Sequence, residues 1–200
     1  MVIFMKQLIK SESHEKTLSQ NESKISTKEV VCVGMFAAVL AVLSQISIPM
    51  PSGVPITLQT FAIALTGVVL AWKLGVTSTL VYILIGAVGV PVFSEFSGGL
   101  HVLVNYTGGF IWGFIVLALL CGVGITLKNK LLGVLLGFVG LAVCHLFGVI
   151  QFMVVMKMSI MESFLLASAP YLIKDAISVI LAFAVGAQIR SRLLKAGLLD

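Results

Sequence analysis

Residues Val30–Trp72 read VVCVGMFAAVLAVLSQISIPMPSGVPITLQTFAIALTGVVLAW and contain no acidic or basic side chain. A membrane-crossing helix needs only ~20 apolar residues, so this stretch is too long for one crossing. Three prolines and a glycine interrupt it between Pro49 and Pro55, and such residues are typical of turns. The stretch therefore predicts two membrane helices, over about 29–47 and 57–72.

The composition of the whole chain indicates lipid as its solvent. The 200 residues are 59% hydrophobic and 10% charged, whereas soluble domains are about 45–50% apolar and about 25% charged. The mean hydropathy is +1.14. This balance excludes a soluble enzyme, a disordered chain and a coiled coil. The odd number of cysteines argues against a disulfide framework, and their spacing matches no metal motif.

The remaining apolar stretches predict four further spans, at about 75–90, 106–127, 131–156 and 170–189, because each is bounded by charges, glycines or proline. Residues 92–104 are expected to form a loop, and residues 157–169 an interfacial connection. The expected fold is therefore an all-α integral membrane protein with six transmembrane helices. Residues 30–190 form the membrane domain, between a polar N-terminal tail at 1–29 and a basic C-terminal tail at 191–200.

The distribution of basic residues predicts the orientation. With six spans, every lysine and arginine except Lys157 and Lys174 lies in a tail or in a turn on one side. Short cytoplasmic segments are enriched in these residues. Both termini are therefore expected in the cytoplasm, with the chain in the bacterial plasma membrane as a multi-pass protein. The positive charges adjoin apolar runs and form no basic face, so no nucleic-acid partner is expected.

The dipeptide Lys174-Asp175 is the most informative polar feature, since ionisable groups inside a span mark functional sites by default. Adjacent residues on a helix point ~100° apart, so the two side chains need not pair and could face a common cavity. The lone His145 in the fifth span is expected to be a packed, hydrogen-bonded residue. No phosphate-binding loop motif and no catalytic constellation occur in the sequence.

Two further polar clusters are expected at the same outer face. Thr57 and Gln59 begin the second span, and the loop after the third span contains Gly98 and Gly99. Glycines let the backbone approach a ligand closely. A pocket with one acid, one base, amides and apolar walls is suited to a small amphipathic ligand. The residues alone thus favour a six-span binder or transporter of a small molecule with a polar head.

Several segments resemble the biotin-transporter BioY family, the substrate-binding S components of energy-coupling factor (ECF) transporters. The resemblance covers roughly residues 30–190, and the sequence of motifs is specific although each motif alone is weak. The matching segments are Val54-Pro55-Ile56-Thr57-Leu58-Gln59-Thr60, Pro91-Val92-Phe93, Gly98-Gly99, Thr107-Gly108-Gly109-Phe110 and Pro170-Tyr171 with Asp175.

The resemblance implies capture of biotin from outside and its uptake. It also implies work with a membrane coupling subunit and two ATPase subunits, or transport by the chain alone. Biotin would be the transported ligand, and no cofactor or metal is expected. The small residues of the first span resemble a docking face for the coupling subunit: Gly34, Ala37, Ala38 and Ala41.

The resemblance also assigns roles at the site. Asp175 would accept a hydrogen bond from a ureido N–H of biotin, and Lys174 would meet the ureido oxygen or the carboxylate. Neutral contacts and ring packing would come from Thr57, Gln59, Phe93, Gly98, Gly99, Asn105 and Tyr106. Two positions depart from the family pattern: Asn105-Tyr106 precedes Thr107-Gly108-Gly109, and Ser178 stands where the family has a lysine three residues after the aspartate.

Three alternatives stay open at this point. The chain could be an S component for another vitamin such as thiamin or riboflavin, which a ligand competition panel would distinguish. It could be an intramembrane enzyme using Asp175 or His145, which would need a second catalytic group. It could also be a purely structural membrane subunit, in which the outer polar clusters would be incidental.

Overall fold

The computed structural model describes residues 26–199, and the predicted N-terminal tail at 1–29 lies largely outside them. The described part is mostly helical. Its elements in chain order are α1 (Thr27–Ser44), β1 (Ser47–Ile48), β2 (Ile56–Thr57), α2 (Gln59–Ala87), a 3-10 turn (Ser94–Phe96), α3 (Leu100–Val104), α4 (Gly108–Thr126), α5 (Lys130–Met156), α6 (Ile160–Ala167) and α7 (Leu172–Lys195).

Five of the described helices, α1, α2, α4, α5 and α7, are long and apolar enough to cross a membrane. This architecture fits an all-α integral membrane protein. One short strand pairing accompanies the helices. Ser47–Ile48 pairs antiparallel with Ile56–Thr57, because the proline-rich segment between them turns the chain back on itself.

The second long helix, α2, reverses direction at Ala71, where the backbone has φ 59° and ψ −178°. Gln59 Nε2 donates a hydrogen bond to Tyr82 Oη at 2.7 Å, although 23 residues of straight helix would separate them by about 34 Å. The predicted spans 57–72 and 75–90 thus form the two antiparallel halves of one element. The expected turn at Lys73 is wrong by two residues, since the chain reverses at Ala71 itself.

Polar side chains fix where several of the apolar helices begin. Ser26 and Glu29 form a capping box at the start of α1, and Ser159 and Glu162 form another at the start of α6. Asn129 Oδ1 accepts from two backbone N–H groups at the start of α5. These contacts satisfy N–H groups that a helix cannot satisfy internally.

The first and last described segments meet at one end of the bundle. Lys28 Nζ donates to the carbonyl of Gly197 at 2.8 Å, and Leu199 is buried against the core. α7 continues to Lys195, beyond the predicted end of the sixth span at about 189, and the residues after it pack on α1. Basic side chains near a helix C-terminus interact favourably with the helix dipole, which supports this extension.

The expected loops also contain more structure than the sequence indicated. Residues 92–104 include the 3-10 turn and α3, and residues 157–169 include α6. Both helices are short, and short helices are difficult to distinguish from loops by apolar periodicity. They lie at the end of the bundle opposite the contact between Lys28 and Gly197, next to the start of α7.

Candidate functional site

A cavity of about 200 Å³ lies where the starts of α2, α4 and α7 meet the connecting loops. Asp175 and Lys174 reach it from the first turn of α7. The structure brings most of the sequence-predicted site residues together around this cavity: Thr57, Gln59, Phe93, Asn105, Tyr106, Lys174 and Asp175. The three polar clusters therefore meet at one place.

Asp175 is the central acid of the cavity and is only 4% exposed. Its Oδ2 lies 3.3 Å from His145 Nε2, and its Oδ1 lies 2.5 Å from Lys174 Nζ. The ammonium group of Lys174 occupies one acceptor site of Oδ1, and a carboxylate oxygen has about two, so Oδ1 keeps capacity for a further donor. A buried carboxylate oxygen in this state can accept a hydrogen bond from a ligand.

Lys174 precedes Asp175 on α7 and forms an ion pair with it at the cavity wall. Its Nζ also donates to the carbonyl of Thr57 at 2.8 Å. An ammonium group has three N–H donors, and these two contacts leave one of them for the cavity. The long aliphatic stem lets the charge turn back toward Asp175 despite the ~100° between adjacent residues.

His145 belongs to the site, which sequence reasoning missed. Its Nε2 faces Asp175, and its Nδ1 lies 2.9 Å from Ser168 Oγ. The neutral ring with its proton on Nε2 satisfies both contacts, because it donates to Asp175 and accepts from Ser168. The expected hydrogen bonding is present, but the ring also lines the cavity. The sequence did indicate this role, because His145 is an ionisable residue inside a predicted span and such residues are functional by default.

The order Ser168–His145–Asp175 resembles a hydrolase triad, but it is not arranged for nucleophilic attack. Ser168 is 0% exposed and is not among the residues that line the cavity. A nucleophile must reach the substrate and have oxyanion donors beside it. The network therefore holds Asp175 in place, and the geometry gives no support to the alternative of an intramembrane enzyme.

Gln59 and Thr57 form a second polar wall. Gln59 Nε2 donates to Tyr82 Oη, while the Thr57 hydroxyl donates to Gln59 Oε1 at 3.5 Å and accepts from the Gln59 backbone N–H at 3.3 Å. The amide keeps one N–H and part of its carbonyl capacity for the cavity. Both residues are buried, so this wall offers neutral donors and acceptors that are shielded from water.

Aromatic side chains form the apolar walls. Phe93 is 1% exposed and packs edge-on against Tyr82, and Tyr106 packs in the same way against Phe152. Two tyrosine hydroxyls hold the loop between β1 and β2 over the cavity. Tyr171 donates to the carbonyl of Val54 at 2.5 Å, and Tyr106 donates to that of Gly53 at 3.2 Å.

Asn105 and the glycine pair differ in how they relate to the cavity. Asn105 lines it, with its Oδ1 accepting from the Tyr106 backbone N–H. Gly98 and Gly99 do not line it, and their predicted contact with ligand is not supported. The Gly99 N–H donates to the carbonyl of Gly86 at 2.7 Å, and a Cβ at Gly98 would lie 2.4 Å from the Val90 oxygen. The pair therefore packs the loop onto the end of α2.

The predicted docking residues of α1 are divided between two faces. Gly34 and Ala38 are exposed. Ala37 is 4% exposed and Ala41 packs partly buried against the core. Docking through Ala37 is inconsistent with this arrangement, because the side chain contacts this chain's own core. The sequence could not separate the faces, since α1 is apolar on all sides.

Other cavity residues were missed as well: Thr60, Glu95, His101, Phe110 and Tyr171. Tyr171 had a signal, because it lies in the segment that leads into Lys174-Asp175. Glu95 lines the cavity from the 3-10 turn and His101 from the short helix α3, and the sequence predicted neither the turn nor the helix. Such turns have no regular period, so side-chain directions within them could not be predicted.

Comparison with known proteins identifies the relatives of this fold. Residues 15–195 match the BioY family. The chain is 33% identical over 166 residues to a probable biotin transporter BioY of Pyrococcus horikoshii, covering 83% of this chain and 98% of that protein. It is 39% identical over 123 residues to the biotin transporter BioY of Thermotoga maritima, covering 61% of this chain and 72% of that protein. These relatives are named as transporters and not as enzymes.

A solved structure shares the fold. The crystal structure of the S-component for biotin from an ECF-type ABC transporter superposes with a TM-score of 0.75 at 21% sequence identity. The match covers 86% of this chain and 94% of that one. At this identity the likeness concerns the fold, while the sequence matches establish the relationship. The chain belongs to the BioY family.

Proposed function

We propose that this chain binds biotin from outside the cell and takes it up across the plasma membrane. The observation that carries the proposal is the pair of buried Asp175 and partly buried Lys174, which faces a partly apolar cavity in a member of the BioY family. Relatives of this chain are named biotin transporters. The same family membership favours biotin over thiamin or riboflavin, and a receptor over a purely structural subunit.

The chemistry of biotin complements the cavity. Its ureido group has two N–H donors and one oxygen acceptor, its fused ring is apolar, and its tail ends in a carboxylate. Asp175 Oδ1 would accept a ureido N–H as a charge-assisted hydrogen bond. The free N–H of Lys174 would meet the ureido oxygen or the carboxylate. Phe93 and Tyr106 would pack against the ring body, and Gln59 and Asn105 would supply neutral contacts.

The existing contacts of Asp175 suit this role. The ion pair with Lys174 neutralises the carboxylate and His145 donates a hydrogen bond to it, whereas burying an unpaired charge would be costly. Both partners are fixed by contacts of their own, through Thr57 and Ser168. The acceptor is therefore held in position before the ligand arrives, which lowers the entropy lost on binding.

The sequence has no phosphate-binding loop motif. ATP-driven uptake would therefore need another protein. The structural neighbour is an S-component of an ECF-type ABC transporter. By analogy, a membrane coupling subunit and two ATPases would complete the transporter. Gly34 and Ala38 are the exposed small residues of α1 that would dock the coupling subunit, since small residues let membrane helices approach closely.

The proposed topology has six crossings, because α2 contributes two antiparallel halves. Lys28 and Gly197 meet at the end of the bundle that also contains Arg192 and Lys195. Cytoplasmic segments are enriched in basic residues. Both termini would therefore be cytoplasmic and the cavity would open outward, in a bacterial plasma membrane.

An uptake experiment tests the proposal. Bacterial cells that lack their own biotin carrier would express this chain, alone or with an ECF module, and accumulation of radiolabelled biotin would be measured at nanomolar concentrations. We expect biotin to accumulate above the level in cells with an empty vector, and excess unlabelled biotin but not thiamin or riboflavin to compete. Accumulation at the empty-vector level under both conditions, with the protein in the membrane, would contradict uptake by this chain.

A further inference from the structure

Gln45, the residue that follows α1, contacts the cavity loop although it is not among the residues that line the cavity. Its Nε2 lies 3.1 Å from four acceptors, two of which are the carbonyls of Val92 and Phe93. Its Oε1 accepts from the backbone N–H of Phe96 at 2.9 Å. We call residues 92–97 the 92–97 loop. One side chain thus contacts both its beginning, at Val92 and Phe93, and its end, at Phe96.

Ser44 adds to this attachment. Its side chain is buried, and its Oγ lies 2.5 Å from the same Val92 carbonyl. The hydroxyl has a single hydrogen, and the carbonyl of Ala41 at 2.8 Å competes for it. Gln45 makes more contacts with the loop than Ser44, because its side chain reaches the carbonyls of both Val92 and Phe93 and also accepts from Phe96.

The 92–97 loop is strained and needs external support. Glu95 and Phe96 both have left-handed backbone conformations, with φ of 58° and 53°. Residues with a Cβ are disfavoured there, and such strain persists only where surrounding contacts fix it. Within the loop itself, the backbone bonds are those between Phe93 and Ser97 and between Ser94 and Ser97. The bond from Phe96 N–H to Gln45 falls at the strained residue itself.

The same loop provides one wall of the cavity. Phe93, Ser94, Glu95 and Ser97 line it. Phe93 occupies a fixed position against Tyr82, whose hydroxyl in turn accepts from Gln59. A shift of the loop would therefore move an aromatic wall and disturb the polar wall beside it.

We propose that Gln45 is a positioning residue for ligand binding: it holds the 92–97 loop in the strained conformation that completes the cavity. The effect on biotin rests on the proposed function, while the effect on the loop does not. Through Gln45, the end of α1 is joined directly to a wall of the ligand site. Movement of α1 relative to the loop would thus change ligand affinity.

The test compares Gln45→Met with Gln188→Met in the full-length protein. Methionine has a similar length but cannot make these hydrogen bonds. Gln188 is exposed on α7, where its side chain bonds within its own helix and to nothing else among residues 26–199. Hydrogen exchange of the ligand-free proteins would be followed over residues 90–99, together with biotin affinity by calorimetry and thermal unfolding.

We expect Gln45→Met to speed exchange of the Phe96 amide at least tenfold and to weaken biotin binding about tenfold. The melting temperature and the exchange of α4 and α5 should stay as in the parent protein, which a general loss of structure would not allow. The control variant should match the parent in every measurement. If Gln45→Met is not recovered folded, Gln45→Glu serves instead. Its carboxylate can still accept from Phe96 but cannot donate to the carbonyls of Val92 and Phe93, so faster exchange is then expected at the Phe93 and Ser97 amides, together with weaker biotin binding.

Unchanged exchange in the loop would overturn the proposal, and so would faster exchange with unchanged affinity. The outcome for the proposed function is separate. If the parent protein binds no biotin, that function fails, while the exchange of ligand-free protein still decides whether Gln45 holds the loop.

Discussion

We expect the Asp175→Asn protein to bind biotin about 10- to 150-fold more weakly than the parent. The variant keeps the shape of the side chain but loses the charge that would accept the ureido N–H. Hydrogen bonds to charged groups contribute ~1.5–3 kcal/mol, and each ~1.4 kcal/mol corresponds to a factor of ten in affinity. Calorimetric titration of the purified protein with biotin measures the effect.

Two further variants make this result specific. Lys174→Met should weaken binding less, because the lysine side chain is 29% exposed and that of Asp175 is 6% exposed, and water weakens charge interactions at exposed sites. Glu162→Gln makes the same chemical change as Asp175→Asn at an exposed carboxylate of α6, outside the cavity. It should leave affinity unchanged. Equal affinity of folded Asp175→Asn and parent protein would remove Asp175 from the binding site.

The second large effect concerns stability. A single methyl group added by Gly109→Ala should destabilise the chain by about 3 kcal/mol or more, the upper range for overpacking a core. The new Cβ would lie 2.1 Å from the backbone oxygen of Phe147 on α5. Because that atom belongs to the backbone, the helices α4 and α5 would have to separate. The expected fall in melting temperature is roughly 6–12 °C for a chain of this size.

Gly34→Ala is the matched control, since the same methyl group at Gly34 meets no atom of the described residues 26–199 within 4 Å. Alanine also favours helix over glycine by about 0.5–1 kcal/mol, so this variant should melt at or slightly above the temperature of the parent. Unfolding in detergent would be followed by circular dichroism. Indistinguishable melting temperatures for the two variants would show that α4 and α5 do not pack as described.

The long apolar stretches and their breaks predicted most of the helices. The charge-free run from Val30 to Trp72, broken near Pro51, correctly indicated two separate helices, α1 and the start of α2. The residues could not give the position of the reversal in α2, because no proline or charge marks Ala71. The turn was expected at Lys73 because that is the first charged residue after the apolar run. The two halves were predicted as separate spans, and contacts distant in sequence, such as that between Gln59 and Tyr82, show that they pack antiparallel within α2.

The sequence predicted the site residues whose type is rare in membrane spans. It did not predict contacts that depend on the direction in which a side chain points. Charged residues are uncommon in spans, so Lys174 and Asp175 stood out. Their pairing depends on the path of the lysine stem, which the sequence does not specify. Ala37 was placed on a docking face by small-residue spacing and resemblance, and the sequence offered no correction because a helix that is apolar on all sides shows no preferred face. Gln45 gave no signal, since its role depends on a loop 47 or more residues away.

The most direct test of the central claim is calorimetric titration of the detergent-purified chain with biotin, with thiamin and riboflavin as controls. The cavity and its fixed acid predict nanomolar binding of biotin by the isolated chain at one site per protein, with no heat from the two control vitamins. Folded protein that gives no heat with biotin, or that binds a control vitamin more tightly, would contradict the proposal that this chain is a biotin receptor.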